Sequence, residues 1–279
     1  MSSLPFDRLF SMPAFEGLRI LRIYMQNRPS EDLASLTRII RQVESDAHTL
    51  DLDAALLIND HVPLVPTDGT AFYRVCLSNI LIHNLPEWAK LVTLGRGRFI
   101  KRLKAVEFRD VRSLFRQARL LDEPPTLDDV EWWDTLQAHV RTQQNVDAMK
   151  RARAAEKLTL EYEFEQLRQA GLDIVPRWMS IEDNTVGYDV LSYSPGDFGP
   201  VNRLIEVKST IASPLRFYVT RNEWESALEF GEAFVFHIWD LQREPPLLYE
   251  RTVEQVLPHI PQDNEKGRWA NAVIPVGIA

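Results

Sequence analysis

The chain has 279 residues, of which 45% are hydrophobic and 26% charged, and its formal net charge is −8 at pH 7. Its one cysteine excludes an internal disulfide framework and a cysteine-rich zinc site, and the acidic balance argues against a generally basic nucleic-acid binder. No apolar run is long enough to span a membrane. The segment "MSSLPFDRLF" has no basic flank before an apolar core, so we expect no secretory signal and a cytoplasmic location.

Residues 1–150 are predicted to form a mainly helical domain for recognition or regulation. "AFEGLRILRIYM" and "DLASLTRIIRQV" repeat apolar residues at helical spacing, and Pro86 ends a further helical stretch. A β insertion within "LLINDHVPLVPTDG", residues 56–69, is an alternative. The clearest break is "DEPPTLDD" at 122–129, after which the helical pattern restarts at "VEWWDTLQAHV".

Residues 151–279 are predicted to form a second domain with an α/β fold. The helix "AAEKLTLEYEFEQLRQAG" ends at Gly171, a typical position for a helix-terminating glycine. Segments rich in β-branched and aromatic residues then predict six strands, namely "DIVPRWMS", "VGYDVLSY", "NRLIEVKS", "LRFYVT", "EAFVFHIWDL" and "PLLYE". The helix "RNEWESALEFG" separates the fourth strand from the fifth. The order α-β-β-β-β-α-β predicts a mixed sheet.

A cluster of charged residues interrupts the apolar pattern of two neighbouring strands. Glu206 and Lys208 share one face of their strand, whereas Val207 points to the other. Asp189 lies on the preceding strand, which is expected to pair with this one as a hairpin. Two buried carboxylates at close range must take up a proton or bind a cation, and Mg²⁺ suits a cluster of oxygen ligands.

The helix before the strands offers a third acid. If Leu160, Phe164 and Leu167 form its buried stripe, Glu156 lies on that stripe one turn before Leu160. A carboxylate on the core side of a helix is unusual unless it has a partner. Glu156 is the first choice, and Glu163, near the same face, is the alternative.

The ordered set Glu156, Asp189 and Glu206-Val207-Lys208 resembles the pattern of the PD-(D/E)xK nuclease superfamily. Within it, "AEKLTLEYE…GYDVLSY…RLIEVKST…FYVTRNEWESA" resembles the NO VEIN C-terminal domain family over about residues 150–240. One departure is Tyr188, where the superfamily pattern has proline.

The resemblance implies a restriction-endonuclease-like core and hydrolysis of phosphodiester bonds with Mg²⁺ or Mn²⁺. It favours an endonuclease acting on DNA rather than RNA, in a prokaryotic antiviral defence or restriction setting. Asp189, Glu206 and the carbonyl of Val207 would then bind the metal, and Glu156 would hold a second ion or orient the first. Lys208 would position the attacking water or offset the charge of the transition state.

Two further segments are candidates for contact with nucleic acid. Residues 95–119 carry nine Lys or Arg against two acids, and the predicted contacts in this segment are Arg96, Arg98, Lys101 and Arg102. A solvated helix face or a salt-bridged interface is the alternative, and helical spacing makes Phe99, Phe108 and Phe115 more typical of a core. In "TRNEWESA" a capping box accounts for Thr220 and Glu223, whereas Asn222 and Trp224 are candidates for substrate contact.

Two readings without catalysis stay open. The C-terminal domain would be a nuclease-fold module that binds nucleic acid or a partner protein without cutting, or the chain would be a scaffold whose "GRGRFIKR" stretch docks an acidic partner. Expected partners are nucleic acid, a protein of a defence system, and a second copy of the chain. No membrane partner is expected.

Overall fold

The chain folds into helices and strands that divide into two compact units. The computed structural model describes residues 6–67, 69–183, 185–263, 265 and 267–277. Its units are Met1–Gln144 and Asn145–Ala279. Residues 1–5, part of the segment in which no secretory signal is expected, lie outside the described residues. Among the described residues, no helix combines the length and the apolar character that crossing a bilayer requires.

The described part of the first unit is helical. Its α-helices before the last one are α1 (Met12–Asn27), α2 (Leu33–Val43), α3 (Leu52–His61), α4 (Gly69–His83), α5 (Arg96–Arg102) and α6 (Arg109–Gln117). Short 3₁₀ helices cover Phe6–Phe10, Ala47–Thr49, Glu87–Leu94 and Val106–Phe108. The β insertion considered for residues 56–69 is wrong for the described residues there, since α3 extends to His61 and no strand follows; Asp68 lies outside them.

Aromatic and aliphatic side chains fill the core of the first unit. Phe15, Leu77, Phe99, Phe115 and Trp133 all belong to one buried cluster. Phe99 and Phe115 are almost fully buried, which confirms them as core residues.

The longest helix, α7 (Leu127–Gln169), covers 43 residues and contributes to both units. It joins the two helices predicted at 130–140 and 154–171. Its sequence contains no glycine or proline, the two residues that most disfavour a helix interior. It ends where predicted, because Gly171 adopts a φ of 71° and Leu172 donates its N–H to the carbonyl of Leu167 at 3.0 Å.

Strands and shorter helices make up the rest of the second unit. The strands are β1 (Arg177–Trp178), β2 (Val190–Ser194), β3 (Val201–Thr210), β4 (Arg216–Thr220), β5 (Phe234–Asp240), β6 (Leu247–Thr252) and β7 (Asn271–Pro275). The helices are α8 (Met179–Glu182), α9 (Arg221–Phe230) and α10 (Val253–Val256), with a 3₁₀ turn at Gly231–Ala233 and another at Leu257–His259. Each of the six predicted segments contains a strand, and β7 is an addition that the sequence analysis missed.

The strands form a mixed sheet and a separate two-strand ladder. In the described part of the chain, five strands lie in the order β1-β2-β3-β5-β6, and β4 pairs with β7. Strands β3 and β5 are parallel, whereas the other pairs are antiparallel. The predicted mixed α/β unit and helical N-terminal region are confirmed. The predicted β2–β3 hairpin is also confirmed, with Val190 opposite Ile205 and Ser194 opposite Val201 across an exposed turn at 195–200.

The two faces of the mixed sheet bury different sets of side chains. On one face, Ile205 and Val207 pack in a cluster with Val235, Trp239 and Ala155 of α7. The opposite face belongs to a larger cluster that contains Leu204, Phe234, Phe236, Ile238 and Trp224 of α9. Because side chains alternate along a strand, Glu206 and Lys208 project from β3 on the α9 side.

The buried stripe of α7 differs from the predicted one. The buried side chains in its second half are those of Ala155, Glu156, Thr159, Glu163 and Leu167, with a repeat of four residues. Phe164, predicted to be buried, is 49% exposed. Thr159 is a polar residue of this stripe, and its burial is explained by Trp239, whose indole N–H donates to Thr159 Oγ1 at 2.8 Å. Glu156 is therefore buried, but on a different stripe from the one that predicted it.

Candidate functional site

A cleft on the α9 side of β3 brings together several acidic residues of the second unit. Its volume is about 440 Å³, and its lining includes Ser180, Tyr188, Asp189, Glu206, Asn222 and Glu223. Strand β3 supplies Glu206, the segment before β2 supplies Asp189, and the first turn of α9 supplies Asn222 and Glu223. The pairing of β2 with β3 brings Asp189 to Glu206, and the ion pair between Glu223 and Lys208 brings the start of α9 to the same place.

Asp189 is fixed against β3 by two hydrogen bonds. Its backbone N–H donates to the carbonyl of Ile205 at 2.9 Å, and its Oδ2 accepts the backbone N–H of Val207 at 2.8 Å. The N–H and C=O of one strand residue point to the same edge of the strand. The carbonyl of Val207 therefore faces the edge where Asp189 lies.

Lys208 lies between two carboxylates. Its Nζ is 2.7 Å from Glu206 Oε1 and 2.8 Å from Glu223 Oε2. Glu223 is a site residue that the sequence does not predict, because the capping box with Thr220 already accounts for it. That capping box is present, so Glu223 both caps α9 and pairs with Lys208. The "TRNEWESA" motif was the available signal, but it cannot show that the start of α9 meets β3.

Burial and crowding of like charges perturb the acids of the cleft. Burial raises the pKa of Glu206 to about 8, and Asp189 and Glu223 add to the rise while Lys208 opposes it. Burial raises the pKa of Asp189 to about 6, opposed by the hydrogen bond from Val207 and assisted by Glu156. The pKa of Lys208 is also raised, because Glu206 and Glu223 outweigh the effect of its burial. Three carboxyl groups thus face one ammonium group.

The donor set of the cleft fits a hard divalent cation. Buried carboxylates without enough positive charge must take a proton or bind a cation, and carboxylate and carbonyl oxygens are the ligands that Mg²⁺ and Mn²⁺ prefer. Asp189, Glu206 and the Val207 carbonyl are the residues that would hold it. Among the described residues, however, no group of three or more His, Cys, Asp or Glu side chains is arranged to hold a metal ion.

Glu156 lies in a hydrogen-bonded group of its own. Its Oε2 accepts from Ser180 Oγ at 2.6 Å, from Arg153 Nη1 at 2.7 Å and from the indole N–H of Trp178. It is 6% exposed. Ser180 connects it to the cleft, since the Ser180 N–H donates to the backbone carbonyl of Asp189 at 3.0 Å. The structure therefore places Glu156 next to the Asp189 segment, with its carboxylate already engaged.

Glu163, the alternative to Glu156, lies in a different cluster on the α7 side of the sheet. Its Oε1 is 3.5 Å from Arg203 Nε and 3.5 Å from His237 Nε2. His237 is fully buried, and burial lowers its pKa to about 4. Burial raises the pKa of Glu163. Glu163 does not join Asp189 and Glu206.

The two other candidates on α9 have different positions. Asn222 is exposed and lines the cleft. Trp224 is only 5% exposed and belongs to the apolar cluster on this side of the sheet. The suggestion that Trp224 contacts substrate is therefore wrong, because its side chain packs α9 onto the core.

The predicted basic contacts all lie in the first unit and are not equally accessible. Arg96 is tied to its own unit by an ion pair of 2.6 Å with Glu123 and a hydrogen bond to the carbonyl of Asp122. Its side chain is 17% exposed. Arg98 and Lys101 are exposed. Arg102 is exposed too and lies 3.4 Å from Glu107. Arg98 and Lys101 are thus the strongest of these candidates.

Comparison with known proteins finds a family that the C-terminal part of the chain resembles. The fold and the cleft define an α/β unit with a buried acid-lysine cluster on the central strand of a mixed sheet. Residues 155–250 match the family described as Protein NO VEIN, C-terminal. This confirms the resemblance predicted for about residues 150–240, over roughly a third of the chain. No curated protein and no solved structure gives a significant match.

Proposed function

We propose that the second unit is a divalent-metal-dependent nuclease domain that hydrolyses phosphodiester bonds. One observation carries the proposal: Asp189, Glu206 and Glu223 line one cleft, and Lys208, paired with Glu206 and Glu223, is a single ammonium group beside these three carboxyl groups. A structural ion pair needs no second acid, whereas an Asp-Glu-Lys set with surplus negative charge suits a cation and a phosphate. Perturbed pKa values in a cleft are typical of functional sites.

Each residue then has a separate role. Asp189, Glu206 and the Val207 carbonyl would hold Mg²⁺ or Mn²⁺, which when bound polarises a phosphate and lowers the pKa of coordinated water. Lys208 stays protonated between its two carboxylates and offers its N–H groups to a water molecule or a phosphate oxygen. Glu156 holds the Ser180 segment against Asp189. Asn222, exposed in the cleft lining, would donate a hydrogen bond to the sugar-phosphate backbone.

The substrate and the setting belong to the same proposal. Four features support a restriction-endonuclease-like core. They are the helix α7, the antiparallel β2–β3 hairpin that carries the acids, the helix α9, and β5, which is parallel to β3. On the family resemblance alone, we propose that the substrate is DNA and that the activity is that of an endonuclease. On the same basis, the proposed setting is defence in the prokaryotic cytoplasm. Cleavage of both strands would call for two copies of the site.

Plasmid cleavage tests the proposal. Wild-type protein is incubated with supercoiled plasmid and Mg²⁺ or Mn²⁺, beside Asp189→Asn and Lys208→Met variants purified in the same way. We expect nicking by the wild type and its loss in both variants, while Glu225→Gln, an exposed change on α9, nicks like the wild type. Equal nicking by all four proteins would mean a contaminant or a different site.

One observation favours a second candidate, a module that binds nucleic acid without cutting. Within the described residues no three-acid group is arranged for a metal, and Lys208 already pairs with Glu206. Calorimetry separates the two candidates. A catalytic site binds Mn²⁺ with a heat that Glu206→Ala abolishes, whereas a binding module shows no such heat and retains its affinity for DNA in that variant.

A further inference from the structure

We propose that Glu223 is a positioning residue, which keeps Lys208 in the cleft when a divalent cation takes Glu206. The inference rests on the proposed function, because it concerns the same cleft. The sequence around Glu223 explains this residue fully as a helix cap. The proposal gives its side chain a second role.

The first argument is the geometry around Lys208. Its Nζ lies at nearly equal distances from Glu206 Oε1 and Glu223 Oε2, 2.7 Å and 2.8 Å. The side chain of Lys208 is 17% exposed, and that of Glu206 8%. An ammonium group with so little contact with water needs a carboxylate partner to stay in place. A cation on Glu206 competes for one of its two partners and leaves Glu223 as the other.

The second argument is the rigidity of Glu223. Its Oε2 accepts the backbone N–H of Thr220 at 2.9 Å, and Thr220 Oγ1 in turn accepts the backbone N–H of Glu223 at 3.3 Å. The next residue, Trp224, anchors the helix in the apolar core. The carboxylate that meets Lys208 is therefore oriented by the start of α9 and does not depend on Lys208 for its position.

The third argument is that cap and ion pair use the same oxygen. Glu223 Oε2 receives both the Thr220 N–H and the Lys208 ammonium group. A glutamine keeps an oxygen for the cap but loses the charge that holds the ammonium group. An aspartate keeps the charge, but its side chain is one methylene shorter and cannot serve both groups from the same helix position. The two variants therefore separate capping, local charge and positioning.

Calorimetry with Mn²⁺ is the first test. Glu223→Gln is compared with wild type and with Glu225→Gln, which removes an exposed acid from the same helix. We expect roughly tenfold weaker Mn²⁺ binding in Glu223→Gln, the effect of losing one interaction between close charges in partly buried surroundings, and wild-type binding in Glu225→Gln. Equal Mn²⁺ affinity in all three proteins overturns the role of Glu223. Absence of Mn²⁺ binding by the wild type overturns the proposed function as well.

Turnover separates positioning from a simple effect of charge. At saturating Mn²⁺, kcat for plasmid nicking is expected to fall at least tenfold in both Glu223→Gln and Glu223→Asp, with KM for DNA unchanged. Recovery of kcat in Glu223→Asp would show that negative charge alone matters and would overturn the proposal. Thermal unfolding accompanies each assay, and Glu223→Gln is expected to unfold near the wild-type temperature because glutamine also completes a capping box.

Discussion

Asp189 accepts a hydrogen bond of 2.8 Å from the backbone N–H of Val207, the residue between Glu206 and Lys208. The acid that precedes β2 is thus held by the main chain of β3 rather than by a side chain. Such a bond survives substitution at position 207 by any residue except proline, which has no backbone N–H. It fixes the spacing of the two acids through the β2–β3 pairing, so the integrity of the site depends on the sheet.

The stability of the metal-free protein is predicted to fall as the pH rises from 6 to 8. Glu206 and Asp189 have raised pKa values of about 8 and about 6 in the folded protein, so the folded state binds protons that the unfolded chain releases. Stability is then lost with increasing pH, by ~2 kcal/mol over this range. Thermal unfolding at both pH values measures it.

Two controls accompany that measurement. Glu206→Gln is expected to remove most of the pH dependence, because the amide does not titrate. Saturating Mg²⁺ is expected to reduce it in the wild type, because a bound cation replaces the protons and stabilises the folded state. A wild-type protein that becomes more stable from pH 6 to pH 8 without metal would contradict the prediction.

Glu156→Ala is predicted to destabilise the fold by about 1–3 kcal/mol, since it leaves the partly buried donors of Ser180 and Trp178 without their acceptor. It also removes the ion-pair partner of Arg153, whose side chain is 48% exposed. The matched control is Glu161→Ala on the same helix, whose side chain is 62% exposed and 3.6 Å from Lys157. It is expected to change stability by less than about 0.5 kcal/mol. Urea unfolding of both variants provides the comparison, and equal midpoints would refute it.

Gly187→Ala is predicted to destabilise the cleft by about 1–3 kcal/mol. Gly187 has a φ of +81°, and an added Cβ would lie 2.3 Å from Ser226 Oγ and 2.9 Å from Ser226 Cβ. The double variant with Ser226→Ala should recover only part of the loss, because the backbone strain remains. Gly97→Ala, in an open helical position, should instead stabilise the protein by about 0.5–1 kcal/mol. Thermal unfolding of the wild type and these three variants tests the prediction.

Charge reversal at Arg98 and Lys101 is predicted to weaken DNA binding uniformly across sequences. Each exposed cation that contacts a phosphate contributes about one unit to the salt slope. The double variant Arg98→Glu/Lys101→Glu should therefore lower the slope by about two. Arg41→Glu, at another exposed arginine of the first unit, is the control and should change little. Fluorescence anisotropy at several salt concentrations measures the slopes, and identical slopes would favour the protein-docking alternative.

Local patterns predicted most of the second unit. β-branched and aromatic runs indicated β2 to β6, and alternation correctly placed Glu206 and Lys208 opposite Val207. Strand β7 was not predicted, because "NAVIP" is short, exposed at alternate positions and preceded by a polar segment. Only its pairing with β4 defines it as a strand. The continuity of α7 also escaped, because its polar middle has no clear apolar stripe, although the absence of glycine and proline was visible.

The site was predictable only where one strand or one hairpin determines the geometry. Asp189, Glu206 and Lys208 follow from a single pairing of strands. Glu223 does not, because nothing local indicates that the start of α9 lies against β3. Phe164 shows the same limit for the helix: two stripes were compatible with the spacing, and the sheet packs on the one that includes Thr159 and Glu163.

The exposed turn at 195–200 and the strand it leads into tolerate changes of length very differently. One residue added inside β3 before Glu206 would move the side chains of Glu206 and Lys208 to the α7 side of the sheet. The side chain of Val207 would then lie on the α9 side. A residue added at the tip of the turn, where Phe198 is fully exposed, does not change which side of the sheet each β3 side chain faces. The tip is thus a natural attachment point for an affinity tag or a fluorescent reporter, at the end of the hairpin away from Asp189 and Glu206.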